Sequence, residues 1–127
     1  MEQLTIPATD KAQLLRSGKC DWKPLDEPDV SGIAVKVLRF DNVNQRAPTI
    51  LLKFDSGASY PAHDHPGGEE VFVLEGEVTF GKHHLEAGDY LYTPPGEKHA
   101  VWSRNGCVIL LSIPEEVIIL KPESSRT

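Results

Sequence analysis

The chain of 127 residues carries 19 acidic and 13 basic side chains, which gives a formal charge of −6. This charge has the wrong sign for binding a polyphosphate, and no basic stripe compensates for it, so we expect no nucleic-acid partner. No run of about 18 apolar residues could cross a bilayer, and the N-terminal stretch MEQLTIPATD lacks the basic and apolar regions of a secretory signal. We therefore expect a cytoplasmic protein that does not contact membranes, with Cys20 and Cys107 reduced and packed.

The length fits a single domain over residues 1–127. Within it we expect an N-terminal segment of strands and sheet edge (residues 1–40), a barrel core (residues 41–121) and a loose tail (residues 122–127). Helical periodicity is scarce. Its one candidate is TDKAQLLRSG, residues 9–18, although an edge strand fits this stretch nearly as well.

From residue 33 onwards, short runs of β-branched and aromatic residues alternate with glycine and proline, which is the pattern of an all-β sandwich or barrel. The alternation predicts about eight strands. They cover residues 33–40, 49–54, 70–76, 77–81, 89–94, 99–103, 107–113 and 116–121.

The stretch YPAHDHPGGEEVFVLEG, residues 60–76, places metal-seeking side chains at the head of an apolar run. Side chains two apart in a strand point the same way, so His63 and His65 face one side. The PGG sequence then turns the chain back, and a hairpin would bring a glutamate at the start of the returning strand, Glu69 or Glu70, to face the imidazoles.

A fourth ligand is expected from His99, which opens a later strand after the turn TPPGEK. Neutral imidazoles combined with a carboxylate suit Fe(II), Mn(II), Ni(II) or Zn(II), whereas Ca(II) and Mg(II) prefer oxygen ligands. The sequence therefore predicts a site for a divalent transition metal. It offers no further acid or base in a compelling position, so we expect the metal to supply the chemistry.

The spacing of these residues resembles the two motifs of the cupin superfamily. The first motif is matched at Gly57, His63, His65, Glu69 and Gly76, and the second at Gly88, Pro94, Gly96 and His99. The match departs from the pattern at Ser103, where cupins usually have an asparagine that is not a usual metal ligand. The motif spacing favours Glu69 over Glu70 as the carboxylate ligand.

A narrower resemblance is to the ChrR-type cupins, through the stretches DWKPL, ILLKFDSGASYPAHDHPGGEEVFVLEG and NGCVILL. It implies an RmlC-like jelly-roll β-barrel, or double-stranded β-helix. It also implies one divalent transition metal per chain, with Fe(II) favoured and Zn, Mn or Ni as alternatives. The implied ligands are His63, His65, Glu69 and His99, and the implied assembly is a homodimer. Separately, a strand-rich domain of this size leaves sheet edges that must be paired, and the segment 1–40 could complete the sheet of a partner.

Two functions follow from this resemblance. The first is a mononuclear non-haem dioxygenase that acts on a small dicarbonyl or a hydroxyaryl ketone, because acetylacetone and dihydroxyacetophenone dioxygenases resemble the same group. The second is a metal-dependent sensor or binding module for a small molecule, without turnover. A sugar isomerase or epimerase would need basic side chains in the barrel to hold phosphate. The candidates for that role are Lys53, Lys82, Lys98 and Arg104.

Strand alternation after Glu69 predicts that Val71 and Val73 point inward with it. The opposite face then carries Phe72 and Leu74, which must be covered by a second sheet or by a partner chain.

Four further groups of residues have structural interpretations. We expect His83 and His84 to form a solvated strand end, and Cys107 to be a buried apolar residue. We interpret the two acidic clusters, residues 26–29 and 115–116, as solvated turns. The aromatic side chains near the ligand segments are expected to fill the barrel; they are Tyr60, Tyr90, Tyr92 and Trp102.

Overall fold

The computed structural model describes residues 11–120, which form ten β-strands and a short 3₁₀ helix at Ser17–Lys19. The strands are β1 (Lys23–Pro24), β2 (Ile33–Asp41), β3 (Arg46–Phe54), β4 (Ser59–Asp64), β5 (Glu69–Phe80), β6 (His83–Glu86), β7 (Tyr90–Thr93), β8 (His99–Trp102), β9 (Cys107–Ser112) and β10 (Ile118–Ile119). The predicted all-β jelly roll is confirmed. No helix within residues 11–120 has the length and apolar character needed to cross a membrane.

The N-terminal helix prediction is wrong for the part that is described. Residues 11–16 have no regular secondary structure, and residues 9 and 10 lie outside the described chain, as does the predicted tail at 122–127. Leu14 and Leu15 are exposed, so this stretch buries little apolar surface. Without such burial, a helix this short is unstable in water.

The strands run in the order β1-β2-β3-β9-β5-β8-β4-β10, and β6 and β7 also pair with β5. The first part of β5 pairs with β9 and β7, and its last part pairs with β6 and β8. We call the two parts of the curled sheet the β2 half (β1, β2, β3, β9 and β7) and the β4 half (β4, β6, β8 and β10). The long strand β5 belongs to both halves.

The sequence analysis divided β5 into two strands, 70–76 and 77–81, and this division is wrong. The chain continues through Gly76, whose φ of 77° is in the left-handed region that favours glycine. A Cβ atom at this position would overlap the carbonyl oxygen of Gly106, so another side chain cannot be placed here without moving the backbone. Gly76 is thus a bend inside one strand, at the point where β5 passes from the β2 half to the β4 half.

The hairpin expected around the PGG turn is also wrong. β4 pairs with β8 and β10, not with β5. The physical reason is that the start of β5 has no free edge, because Glu70 pairs with Ser112 of β9 on one side and with Tyr92 of β7 on the other. The turn instead carries the chain from one half of the sheet to the other.

The core lies between the two halves. A row of side chains crosses the adjacent strands β3, β9 and β5. Leu52 on β3 is the cross-strand partner of Ile109 on β9, and Ile109 is the partner of Val73 on β5. Phe80 and Val101 close the core from the β4 half, and both are buried. Burying each such side chain contributes roughly 1.5–3 kcal/mol, so this packing fixes the strand ends on which the polar cluster lies.

The segment before β3 belongs to the same barrel. β2 pairs along its length with β3 of its own chain, and Ile33 at its start is part of the buried core. β1 covers a short part of the other edge of β2, where Lys23 pairs with Val35. The run IAVKVLRF therefore completes a sheet within this chain.

Candidate metal centre

Four buried side chains meet at one end of the barrel interior: His63, His65, Glu69 and His99. His63 on β4 and His99 on β8 are direct cross-strand partners. His65 follows the end of β4, and Glu69 is the first residue of β5. One potential ligand atom from each residue lies within 4.8 Å of those from the other three.

The distances within this cluster are short. His99 Nε2 lies 3.2 Å from His65 Nε2 and 3.2 Å from Glu69 Oε1. His65 Nε2 lies 3.9 Å from the same carboxylate oxygen. Ligand atoms about 2.0–2.2 Å from a single ion would be separated by about 3–4.4 Å, so these separations match a shared cation.

Contacts on the far side of two rings fix how they face the cluster. His63 Nδ1 is 3.0 Å from the carbonyl oxygen of Pro61 and donates to it, which leaves Nε2 with its lone pair free to bind a metal. The ring of Tyr60 packs edge-on against His63, and the ring of Phe80 packs edge-on against His99. These neighbours hold the imidazoles in place before any ion binds.

Burial lowers the pKa of His63, although its hydrogen bond to Pro61 and the charge of Glu69 partly oppose this effect. Burial likewise lowers the pKa of His65. Both imidazoles are therefore held in the neutral form, which is the form that binds metals.

The cluster is not satisfied by protein atoms alone. His65 Nδ1 is buried and has no hydrogen-bond partner among the described residues. His65 Nε2, His99 Nε2 and Glu69 Oε1 lie close together, and a single N–H proton cannot form hydrogen bonds among all three atoms. Their lone pairs therefore point towards one another without enough hydrogen-bond donors. A divalent cation fits this arrangement of three imidazoles and one carboxylate.

Glu70 lies on the opposite face of β5 from the cluster. Its carboxylate is exposed and accepts a hydrogen bond of 2.6 Å from the hydroxyl of Tyr90. The structure thus brings Glu69, and not Glu70, to the three imidazoles.

Ser103, which replaces the usual cupin asparagine, connects several segments near the barrel wall. Its hydroxyl donates to the carbonyl oxygen of Glu77 at 2.6 Å and accepts from the backbone N–H of Gly106 at 2.9 Å. It is fully buried, and the hydrogen bonds of its hydroxyl go to β5 and to the loop before β9 rather than to the imidazoles. The departure from the motif therefore leaves the cluster intact.

A cavity of about 100 Å³ adjoins the cluster between the two halves of the sheet. Its walls are mainly apolar and come from both halves, and His63 and Glu69 form part of its lining. The remaining polar groups in the lining are Tyr60 and Glu27. The tyrosine hydroxyl donates to Glu27 Oε1 at 2.6 Å, and burial together with this hydrogen bond raises the pKa of Tyr60.

Glu27 is the functional candidate that the sequence analysis missed. It was assigned to a solvated acidic turn, but it lines the cavity. No periodicity marks it, because it lies in a loop 33 residues before the tyrosine that it contacts. The other predicted acidic turn is confirmed, since Glu115 and Glu116 are exposed.

Of the four aromatic residues expected inside the barrel, Tyr60 is buried. Tyr90, Tyr92 and Trp102 are exposed, so the prediction is wrong for these three. Their side chains alternate with inward-pointing neighbours such as Thr93, which is buried.

His83 and His84 are exposed at the start of β6, which confirms the predicted solvated strand end. Cys107 is buried as expected, and burial raises the pKa of its thiol to about 11. Cys20 is a free thiol that is only partly buried.

None of the basic residues considered for phosphate binding lines the cavity described here. Lys53 instead lies over the ring of Trp22, and Arg104 over the ring of Trp102. Lys82 and Lys98 are exposed. The basic side chains that a sugar-phosphate isomerase would need are therefore missing from the walls of this cavity.

Comparisons with known proteins agree with this architecture. The family model of the ChrR cupin-like domain matches residues 10–114. Among curated proteins, the DNA damage-repair/toleration protein DRT102 of Arabidopsis thaliana is 31% identical over 65 residues, which cover 46% of this chain and 21% of that protein. The chain thus spans about a fifth of the length of the curated relative that it matches.

Three solved structures illustrate the similarity in fold. An RmlC-like cupin from Ralstonia eutropha JMP134 has a TM-score of 0.76 at 21% identity, with 89% of this chain and 74% of that chain covered. An acetylacetone dioxygenase from Acinetobacter johnsonii has a TM-score of 0.73 at 15% identity, with 90% and 79% covered. The complex of Rhodobacter sphaeroides SigE with the anti-sigma ChrR has a TM-score of 0.60 at 22% identity, with 77% and 50% covered.

Proposed function

The chain belongs to the ChrR cupin-like domain family, and we propose that it binds one divalent transition metal through His63, His65, Glu69 and His99. We propose further that it is a mononuclear non-haem dioxygenase acting on a small dicarbonyl. The observation that carries the proposal is the buried cluster of three imidazoles and one carboxylate next to a small, mainly apolar cavity.

The volume of the cavity supports a small substrate. The cavity beside the cluster is small, at about 100 Å³. This size favours an open-chain dicarbonyl over a hydroxyaryl ketone, which contains a substituted ring. The apolar walls would keep water away from the reacting groups, and the carbonyl oxygens would bind beside His63 and Glu69, where the proposed metal adjoins the cavity.

Fe(II) is the ion we favour, with Zn, Mn and Ni as alternatives, because imidazole and carboxylate ligands suit all four. When bound, such an ion supplies the Lewis-acid and dioxygen chemistry that the protein side chains lack. The chain itself provides neutral imidazoles, one charged ligand and an apolar space for the substrate.

Metal analysis and oxygen uptake together test this proposal. Untagged protein purified without chelator should contain close to one iron per chain and should consume O₂ when acetylacetone is added. The His99→Ala variant should lose both properties, whereas His84→Ala, which removes an exposed imidazole, should keep them. Iron-loaded protein that consumes no O₂ with any small dicarbonyl would contradict the dioxygenase assignment.

A second candidate function is a metal-dependent sensor without turnover. It is favoured by the similarity in fold to ChrR, which forms a complex with SigE. The same two measurements separate the candidates, since a sensor should hold one zinc per chain and bind a small ligand without oxygen uptake.

We also propose a cytoplasmic homodimer in which the outer face of β5 is the covered surface. Phe72 and Leu74 lie on this face and are 39% and 44% exposed, so the other half of the sheet does not cover them. Sedimentation equilibrium should then give twice the chain mass of 14.0 kDa, and Leu74→Asp should reduce it to that of a monomer.

A further inference from the structure

Glu27 places a second carboxylate on the wall of the cavity that adjoins the cluster. It lies in the loop between β1 and β2, far in sequence from the other polar residues of the lining. The hydroxyl of Tyr60 donates to its Oε1 atom at 2.6 Å, and the ring of Tyr60 packs against His63. One tyrosine thus connects the carboxylate to the cluster.

The loop that carries Glu27 is anchored on both sides. The backbone N–H of Leu25 donates to the carbonyl oxygen of Ile33 at 2.9 Å, and that of Val30 donates to the backbone carbonyl oxygen of Glu27 at 3.3 Å. Leu25 and Val30 also pack against the buried core. The position of the carboxylate is therefore fixed by backbone and apolar contacts as well as by Tyr60.

The charges around the cavity balance when a divalent ion is present. Three neutral imidazoles and Glu69 leave such an ion with a net charge of +1, and the carboxylate of Glu27 brings the total to zero. A neutral dicarbonyl can then pass a proton to Glu27 without changing the total charge of the site. Proton loss to bulk water would instead leave an uncompensated negative charge in an apolar cavity, which is costly.

We propose that Glu27 is the base that removes a proton from the carbon between the two carbonyl groups of the substrate, and that Tyr60 positions it. This inference rests on the proposed function. The C–H bond breaks, its electron pair stays on the substrate as the enolate, and an O–H bond forms on the carboxylate of Glu27. The step needs no oxidant or reductant.

The test uses zinc-loaded protein, which cannot carry out the oxygen chemistry, and acetylacetone as the probe. The rise of the ultraviolet absorbance of the enolate is followed after rapid mixing. Glu27→Gln should slow this rise by about 100-fold, which is typical of the loss of a general base. The amide oxygen can still accept the hydrogen bond of Tyr60, so the loop contact is kept.

Acetoacetate provides a second readout that does not depend on proton removal. It has the skeleton of acetylacetone with a carboxylate oxygen in place of one methyl group, so it already carries its negative charge. Glu27→Gln should bind it about tenfold more tightly by calorimetry, because a like charge has been removed from the cavity wall. A variant that has merely lost its fold or its metal would bind both probes more weakly.

Glu70→Gln is the matched control. Glu70 also accepts a tyrosine hydroxyl at 2.6 Å, but on the exposed outer face, so neither measurement should change. Tyr60→Phe should slow the proton transfer by less than Glu27→Gln and should leave acetoacetate binding unchanged, as expected of a positioning residue.

The outcomes separate this inference from the proposed function. An unchanged rate of enolate formation in Glu27→Gln overturns the role of Glu27 but leaves the proposed function in place. Zinc-loaded wild type that binds neither probe overturns the proposed function itself. Should Glu27→Gln fail to fold, Glu27→Asp moves the carboxylate back by one methylene group. The rate of enolate formation in Glu27→Asp should fall while acetoacetate binding stays at the wild-type level. An unchanged rate of enolate formation again overturns the role of Glu27 as the base.

Discussion

Two adjacent glutamates at the start of β5 have opposite environments. Glu69 is 3% exposed, and its Oε1 atom lies 3.2 Å from the imidazole of His99. Glu70 is exposed and accepts a hydrogen bond from Tyr90. The two side chains are chemically identical, so the difference comes only from the alternation of side chains along a strand. One step in register decides which carboxylate can belong to the cluster.

The same comparison extends along β5 to its apolar residues. Val71 and Val73 point inward and are buried, while the larger Phe72 and Leu74 point outward. Size and hydrophobicity alone would have placed the phenylalanine and the leucine in the core. The position of a residue in the strand, rather than its affinity for an apolar environment, determines the face on which it lies.

Exchange of Glu69 and of Glu70 for glutamine, one at a time, should give the largest difference between the two faces of β5, and this difference is in metal affinity. Glu69→Gln replaces the charged oxygen of the cluster, and we expect metal affinity to fall by at least about 100-fold. Glu70→Gln should retain the metal content of the wild type. The measurement is elemental analysis after dialysis against a weak chelator.

Equal metal content in the two variants would show that Glu69 is not a ligand. Thermal unfolding of both metal-free proteins controls for a general loss of structure, because neither substitution changes the size of the side chain appreciably.

Truncation of the apolar side chains of Val73 and Leu74 should give the next largest difference between the two faces, and this difference is in the free energy of unfolding. Val73→Ala opens a cavity in the core and should reduce the free energy of unfolding by about 2 kcal/mol. Leu74→Ala on the exposed face should change it by less than about 0.5 kcal/mol in the monomer. Urea denaturation at low protein concentration measures both values, and equal losses would contradict the assigned inward and outward faces.

Acidification should weaken the inner face specifically. Burial lowers the pKa values of His63 and His65 from the usual 6.5, so the unfolded chain takes up protons at a higher pH than the folded one. Above about pH 6.5 the neutral imidazoles contribute their full stability to the folded protein. This contribution is lost as the pH falls from about 6.5 through the lowered pKa values of the folded state. The slope is at most about 1.4 kcal/mol per pH unit for each imidazole.

Urea midpoints of chelator-treated protein between pH 7.5 and 5 give this slope directly. A midpoint that stays constant or rises on acidification would contradict the assigned direction of the pKa shifts. Metal-loaded protein should show a steeper decrease, because protons then compete with the ion.

Local rules were sufficient to predict most of this inner face. Strand alternation and the motif spacing together selected Glu69, and the motif glycines occupy backbone positions with positive φ, such as Gly57 at 85° and Gly88 at 93°. The strands rich in β-branched residues, such as β2, β3 and β9, were found close to their observed bounds. In these cases the pattern within a few residues determines the structure.

Relations between distant segments could not be predicted in this way. Alternation shows which residues share a face but not which face is inside, so Tyr90 and Tyr92 were placed in the barrel. The turn before Glu69 was assigned to a hairpin because the sequence does not reveal that β9 and β7 occupy both edges of β5. Glu27 was missed because only the tertiary fold brings its loop over the cavity.

The place of β9 in the sheet has a consequence for synthesis of the chain. β9 lies between β3 and β5, although it follows both of them in sequence. Until the ribosome has released residues 107–112, these two apolar strands have no neighbour on their inner edges and cannot form the row from Leu52 through Ile109 to Val73. The barrel therefore cannot assemble before residues 107–112 have been made, and a chain that stalls before Cys107 exposes two unpaired strand edges to other nascent chains.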